Sequence, residues 1–299
     1  MKIGYPCINR TIGCCANKAF RLKSYSPEKL IETIRNNLDC LRKILEYNVH
    51  HNIFFFRISS DVIPFASHDI CDFDWQSHFQ QEFRDIGGYI RRHDMRISMH
   101  PDQFTLINAQ DAGIFERSRR ELQYHADFLD ALELDTTAKI QIHVGGVYGD
   151  RSASMARFVK RYHMLDSFIT RRLVIENDDV SYPLADCLEL HKDTGVPVLY
   201  DEFHNAVNPS GFDSSSALGG VSVTWRQCDG VPMVDYSSQQ AGAKKGSHTW
   251  EIDIHDFSLF LERIKPYNCD IMLEIKNKEA SAIAALAVIA SEQHTGASA

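Results

Sequence analysis

Ser98-Met99-His100-Pro101-Asp102-Gln103-Phe104 sets the reading of this chain. It follows a stretch with the composition of a β-strand, and it places a histidine where that strand should end. The same event recurs downstream. His143 ends Lys139-Ile140-Gln141-Ile142, Glu176 ends Leu173-Val174-Ile175, Asp201 follows Val198-Leu199-Tyr200, and Glu274 ends Ile271-Met272-Leu273. Strand after strand finishes on a side chain able to bind a metal.

Helical patterns separate these strands. The first strand is expected at Lys2 to Tyr5. A helix follows from Pro27, with Ser26 as N-cap and Leu30, Ile34, Leu38, Leu41 and Leu45 at helical spacing. A second strand is expected at Ile53 to Ile58, and helices at about Trp75–His93, Ala112–Leu132 and Ser152–Phe168. The weakest strand is the seventh, near Pro232 to Tyr236. Helices over about Asp256–Ile264 and Glu279–Ala290 close the pattern. Apolar strands alternating with helices imply a parallel sheet covered on both faces. Roughly eight such units point to a single α/β domain, a closed (β/α)8 TIM barrel, over residues 1–290. An open doubly wound sheet is the alternative. Residues 291–299 read as a flexible tail, and Asn9–Tyr25, Asp201–Trp225 and Ser237–Thr249 as loops on the active face.

The chain has 299 residues, a net charge of -8 and 44% hydrophobic residues, values ordinary for a globular protein. That charge argues against a general nucleic-acid coat protein but leaves room for a local basic groove. The eight cysteines form no CxxC pair, which argues against a zinc ribbon. No apolar run spans a membrane and no signal region opens the chain, so a cytoplasmic protein with reduced thiols is expected. The adjacent Cys14 and Cys15 are expected to pack.

In a barrel every strand's C-terminal end opens onto one mouth. His100, His143, Glu176, Asp201 and Glu274 should therefore converge. His204, three residues beyond Asp201, reaches the same place, and Asp235 and His248 belong to the seventh strand and its loop. Any single one of the 14 histidines is more often a surface or core residue than a ligand. His93, His125, His163 and His191 fall in helices and keep that reading. Five strand-end candidates brought together by one fold are different, because their ionised carboxylates would repel strongly without cations. The set exceeds what one divalent ion takes and suits two or three ions with bridging carboxylates. Mixed imidazole and carboxylate donors favour Zn²⁺, Mn²⁺ or Fe²⁺ over Ca²⁺. Such a cluster serves phosphodiester hydrolysis, and in related barrels aldose–ketose isomerisation.

Several short segments together resemble the UV damage endonuclease family. They are Gly4-Tyr5-Pro6-Cys7, Pro64-Phe65-Ala66-Ser67-His68, Ser98-Met99-His100-Pro101, His143-Val144-Gly145-Gly146, Glu176-Asn177-Asp178, Asp201-Glu202-Phe203-His204-Asn205, Gly246-Ser247-His248 and Glu274-Ile275-Lys276-Asn277-Lys278-Glu279. They occur in family order over about residues 1–280. The resemblance implies a barrel with a metal cluster, usually manganese, with Zn²⁺ or Mg²⁺ as alternatives. It implies an ATP-independent, monomeric repair enzyme acting on damaged double-stranded DNA. That enzyme nicks immediately 5′ to cyclobutane dimers and 6-4 photoproducts, with abasic sites as a further substrate, and leaves a 3′-hydroxyl and a 5′-phosphate. The family's ligands map to His100, His143, Glu176, Asp201, His204, His248 and Glu274, with Glu176 and Glu274 as bridging, catalytic carboxylates. His68 matches a functional histidine of the mouth. Gln103 and Phe104 match a pair inserted into the duplex opposite the lesion, where tyrosine is usual at the second position. Tyr5 and Asn9 match residues lining the pocket for flipped-out bases, and flipping costs least at a damaged step.

One departure stands out. Relatives carry a lysine, which can be carboxylated, and a histidine two residues later on the seventh strand. Here those positions hold Met233 and Asp235. Methionine forms no carbamate, and Asp235 is expected to bind metal in compensation. Lys244 and Lys245 are expected to contact phosphates beside the cluster, with Arg57 doing so from another side. Two other readings remain open at this stage: a sugar isomerase on the same barrel, and a lesion-binding protein that has lost nuclease activity.

Overall fold

The computed structural model describes residues 1–296. Among the described residues eight parallel strands close into a barrel in sequence order. They are β1 (Ile3–Pro6), β2 (Phe55–Ile58), β3 (Arg96–Met99), β4 (Lys139–His143), β5 (Leu173–Glu176), β6 (Val198–Asp201), β7 (Met233–Tyr236) and β8 (Asp270–Leu273). β8 returns to pair with β1 through Ile3↔Ile271 and Gly4↔Met272, so the open-sheet alternative is excluded. The β1–β2 approach is close enough to require glycine. A Cβ built on Gly4 would lie 2.3 Å from the Phe55 carbonyl oxygen.

The helices form the outer layer for the reason their spacing implies. In the helix Pro27–His50, Leu30, Ile34, Leu38, Leu41 and Leu45 are buried, each contributing about 1.5–3 kcal/mol when fully removed from water. Ser26 caps it by accepting from the Lys29 amide at 3.2 Å, and Pro27 occupies the first turn, where its missing N–H costs nothing. Several limits differ from the sequence pattern. The stretch from Trp75 breaks at Phe79 into Trp75–His78 and Gln80–Arg92. The span 151–170 also divides, into Arg151–Tyr162 and Ser167–Thr170. The 201–225 connection is not an irregular loop, since it carries the helices Glu202–Val207 and Ser214–Ser222. The last helix runs Glu279–Gly296, past the expected start of a tail at Ser291; residues 297–299 lie outside the described residues. No described helix is long and apolar enough to cross a membrane.

Side chains inside the barrel lie in layers of strand period two. Phe55, Val174, Leu199, Met233 and Met272 form an apolar cluster of their own. Two residues earlier on β4 and β8 lie Lys139 and Asp270, with Arg96 on β3 beside them. Lys139 Nζ meets Asp229 Oδ1 at 2.5 Å and Arg96 Nη1 meets Asp270 Oδ2 at 3.3 Å, both beneath the Trp225 ring. Two residues later, toward the C-terminal mouth, stand Arg57, Glu176, Asp201, Asp235 and Glu274. The apolar layer thus separates a polar floor from a polar mouth.

One cysteine expectation is corrected. Cys14 is bonded to Cys40. The bond ties the long loop after β1 to the first helix, so these two thiols are not reduced and Cys14 does not simply pack against Cys15.

Candidate metal centre

The strand ends converge as the fold requires. Glu176 closes β5 and is 1% exposed. Its Oε2 lies 3.3 Å from His100 Nε2 and 4.0 Å from His143 Nε2, while its Oε1 lies 3.0 Å from His204 Nδ1. One carboxylate thus faces three imidazoles, two on one oxygen and one on the other. Register puts it there, because His143 pairs with Glu176 across β4 and β5. Asp201 ends β6 and caps the following helix, its Oδ1 accepting from the His204 amide at 2.6 Å. That turn carries the His204 ring back over the mouth, with Nδ1 3.4 Å from Asp201 Oδ2. Asp201 Oδ2 is fully buried and makes no hydrogen bond. His248 comes from the loop after β7, where Gln239 and His248 form an antiparallel bridge. Its Nε2 is 3.9 Å from Glu274 Oε2.

Among the described residues three groups of donor atoms lie close enough together to hold a cation: His100, His143 and Glu176; Glu176, Asp201 and His204; and Asp201, Asp235 and Glu274. Glu176 is shared by the first two. The buried Asp201 oxygen without a hydrogen bond and the mixed imidazole–carboxylate donors fit a divalent cation at the two places around Glu176. The electrostatics point the same way. Burial pushes the Glu176 carboxyl up, but His143, His100 and His204 more than offset it and hold it well below the usual range. Burial lowers His204, yet Asp201 and Glu176 outweigh that and lift it to about 11. Burial drives Asp201 well above the ordinary carboxylate value, only partly opposed by His204. A cation would take over the role of these protons.

Arg57 is not at the surface. It is 2% exposed and points into the mouth from β2. Its Nη2 donates to both Asp235 oxygens, at 2.8 and 2.7 Å, and to Gln141 Oε1 at 2.7 Å, while Nη1 donates to Glu274 Oε1. Gln141 Nε2 donates to Asp235 Oδ2 at 2.6 Å and also to Glu176. The expected phosphate contact by Arg57 is therefore corrected: its fork is spent on internal carboxylates. Asp235 reaches the mouth as expected, but both its oxygens are occupied. Gln141 and Asn177 were missed by the sequence reading. Asn177 accepts from the Asp201 amide and donates to the Asp201 carbonyl, both at 2.9 Å, which fixes the end of β6. A signal for Gln141 was present, since Lys139, Gln141 and His143 alternate with two isoleucines.

The expected DNA contacts divide. Gln103 and Phe104 sit in an exposed turn after β3, Phe104 being 72% exposed, and Gln103 lines a cavity of about 310 Å³ with His100, His143 and Asp178. A second cavity of about 360 Å³ flanks Glu274 on the other side and is lined by Pro6, Cys7, Arg57, Lys276 and Lys278. Lys244 and Lys245 are exposed on the His248 loop. Tyr5 and Asn9 do not line either cavity. Tyr5 is 0% exposed and faces the helix layer, its hydroxyl donating to Asn48 Oδ1 at 2.6 Å and accepting from Asn9 Nδ2 at 2.9 Å. The reason is strand alternation: Gly4 takes the inward position and turns Tyr5 outward, so Pro6 and Cys7 border the cavity instead. His68 is also displaced from the mouth. It is exposed in a separate depression with Asp69, Trp75 and Arg120.

A family model described as UV-endonuclease UvdE matches residues 2–294. The chain belongs to that family. A UV DNA damage endonuclease of Clostridium perfringens (strain 13 / Type A) is 40% identical over 285 residues, covering 95% of this chain and 69% of that protein. The crystal structure of SacUVDE superposes with a TM-score of 0.94 at 40% identity, covering 98% of this chain and 99% of that one. A D-psicose 3-epimerase crystallised with D-fructose matches with a TM-score of 0.53 at 15% identity over 83% of this chain and 91% of that one, which shows a shared fold alone. As a UvdE member the chain is a DNA-repair endonuclease built on a TIM barrel.

Proposed function

We propose that this chain is a metal-dependent endonuclease that recognises UV photolesions in double-stranded DNA. It hydrolyses the phosphodiester immediately 5′ to the lesion, without ATP, and leaves a 3′-hydroxyl and a 5′-phosphate. The observation that carries the reading is the Glu176 carboxylate facing three imidazoles beside the buried Asp201 oxygen, next to an exposed Gln103-Phe104 turn. His100, His143, Glu176, Asp201, His204, His248 and Glu274 would hold the ions, Mn²⁺ by family expectation. Bound divalent ions supply Lewis acidity and neutralise charge on a phosphodiester.

The protein's own groups do the rest. Gln141 and Arg57 fix Glu176 and Glu274, so the donors are held in place before substrate arrives. Phe104 offers an aromatic face that is costly to leave in water and suited to a gap in the base stack. Lys276 and Lys278 place positive charge in the cavity beside Glu274, and the exposed Lys244 and Lys245 extend it along the rim. A damaged step unstacks cheaply, so selectivity arises without contacts to a particular base sequence.

A duplex carrying one defined photolesion tests this. The expected result is a single nick 5′ to the lesion that disappears when metal is stripped and returns with Mn²⁺. Binding without nicking in excess Mn²⁺ would overturn the catalytic reading. Undamaged DNA cut at the same rate would overturn the damage specificity.

A further inference from the structure

The third acidic group of the mouth is the one the strands build differently from the other two. Asp201, Asp235 and Glu274 approach one another, and register makes them neighbours, since Asp201 pairs with Asp235 and Asp235 with Met272. Unlike the groups around Glu176, this one contains no imidazole. It already contains a cation. Arg57 Nη2 lies 2.8 and 2.7 Å from the two Asp235 oxygens, and Nη1 donates to Glu274. A guanidinium does not lose its proton in a protein, so this charge is permanent. The layer beneath is apolar, with Phe55, Met233 and Met272, and offers the group no water to retreat into. A divalent ion bound by Asp235 and Glu274 would have to sit against that guanidinium in a low-dielectric interior, where like charges repel strongly.

We propose that Arg57 is the resident cation of this site: it fills the place between Asp235 and Glu274, Asp235 is its counter-ion and not a ligand, and the mouth loads two divalent ions bridged by Glu176. His100, His143 and Glu176 would hold one ion, and Asp201, His204 and Glu176 the other. Glu274 keeps Oε2, the oxygen facing His248, for the ions, and gives Oε1 to Arg57. Met233 fits this arrangement, because an apolar side chain under Asp235 adds no further ligand. This assignment rests on the metal-dependent reading above.

The test is a metal count. Protein stripped of metal is dialysed against excess Mn²⁺, freed of unbound ion, and measured by elemental analysis, with circular dichroism as a check on folding. The intact chain is expected to hold about two Mn²⁺, and Asp235→Asn to hold the same number, since the amide keeps a hydrogen bond to Gln141 or Arg57. The double variant Arg57→Met with Asp235→Leu removes opposite charges together and should also keep both ions. A third ion in the intact chain would overturn the proposal. So would a single ion, or the loss of one ion in either folded variant. An intact, folded chain that retains no Mn²⁺ would instead overturn the metal-dependent function itself. The count on the unmodified chain decides the matter even if a variant fails to fold.

Discussion

At the scale of single residues, Glu176 concentrates the chemistry. Among the described residues it is the one carboxylate whose two oxygens both face imidazoles, and Gln141 holds it from below. Changes in the shell around a metal's ligands already cost about 10–100-fold in affinity, so removing a bridging charge should cost more. Glu176→Gln is expected to weaken Mn²⁺ binding by over about 100-fold, read by competition with a metal-sensitive dye. Phe104 makes the opposite kind of prediction. Being 72% exposed, it supports little of the fold. Phe104→Ala should leave the melting temperature unchanged and lower affinity for lesion DNA by about 1–3 kcal/mol, the range for one aromatic–base contact. Equal affinity for the two proteins in a fluorescence anisotropy titration would remove Phe104 from the interface. The residues also show where sequence was readable. His100, His143, Glu176, Asp201 and Glu274 were legible because they end strands, and strand ends in a barrel share one mouth. Tyr5 was placed wrongly because a motif gives position along the chain but not the face of the strand. Arg57 was misplaced because a cation beside a strand end reads as a phosphate contact until its partners are known.

At the scale of elements, β6 and its short helix control the proton balance of the mouth. Asp201 caps Glu202–Val207, and the turn brings His204 against Glu176 and Asp201. Without metal, burial disfavours the charged imidazole, but the two carboxylates prevail and raise it to about 11. Below that pH His204 carries a proton that an incoming cation must displace. Mn²⁺ loading near neutral pH should therefore release protons, and affinity should rise with pH. Calorimetry in buffers of different ionisation enthalpy measures this; heats independent of the buffer would contradict it. The linkage sign for the metal-free chain follows from the same shift. A folded value raised above the unfolded one gives stability that is complete below about pH 6.5 and lost as pH rises through about 11. The loop after β1 carries a second element-scale prediction. Its tie from Cys14 to Cys40 has a sequence separation of 26. A bond closing a loop of that size stabilises by about 3 kcal/mol. Reductant should lower the melting temperature of the intact chain and leave Cys14→Ser unaffected. The tie escaped the sequence reading because the two cysteines belong to different elements, and spacing alone does not show which elements touch. The alternation of strands and helices was legible except after β6, where the helices Glu202–Val207 and Ser214–Ser222 read as loop. The breaks at Phe79 and after Tyr162 were not legible either, since a broken helix keeps the hydrophobic spacing of a continuous one.

At the scale of the whole molecule, the puzzle is an acidic protein whose family acts on DNA. The net charge of -8 repels a polyanion at long range. Part of that excess, however, faces inward. Glu176 and Asp201 are buried at the mouth, where cations held by the cluster would balance them, whereas Asp235, Asp229 and Asp270 are already matched by Arg57, Lys139 and Arg96 and add nothing to the net charge. The charge around the rim differs from the average. Lys276 and Lys278 line one cavity, Lys244 and Lys245 stand on the neighbouring loop, and Arg10 lies over the exposed Trp250 ring at 5.3 Å. Sequence gave only the total charge, because which charges cancel depends on the folded pairs. Removing metal should therefore weaken DNA binding as well as stop cleavage, since it exposes uncompensated carboxylates at the centre of the rim. The basic loop allows a sharper test. Each phosphate contact contributes a slope of about -0.9 to the dependence of log affinity on log salt concentration for duplex DNA. Lys244→Ala with Lys245→Ala should reduce the magnitude of that slope by about 1–2 and weaken binding alike for every flanking sequence. A loss confined to one sequence context would mean that these lysines read bases. An unchanged slope would leave them as solvated charges on a loop whose contribution to the site is His248 alone.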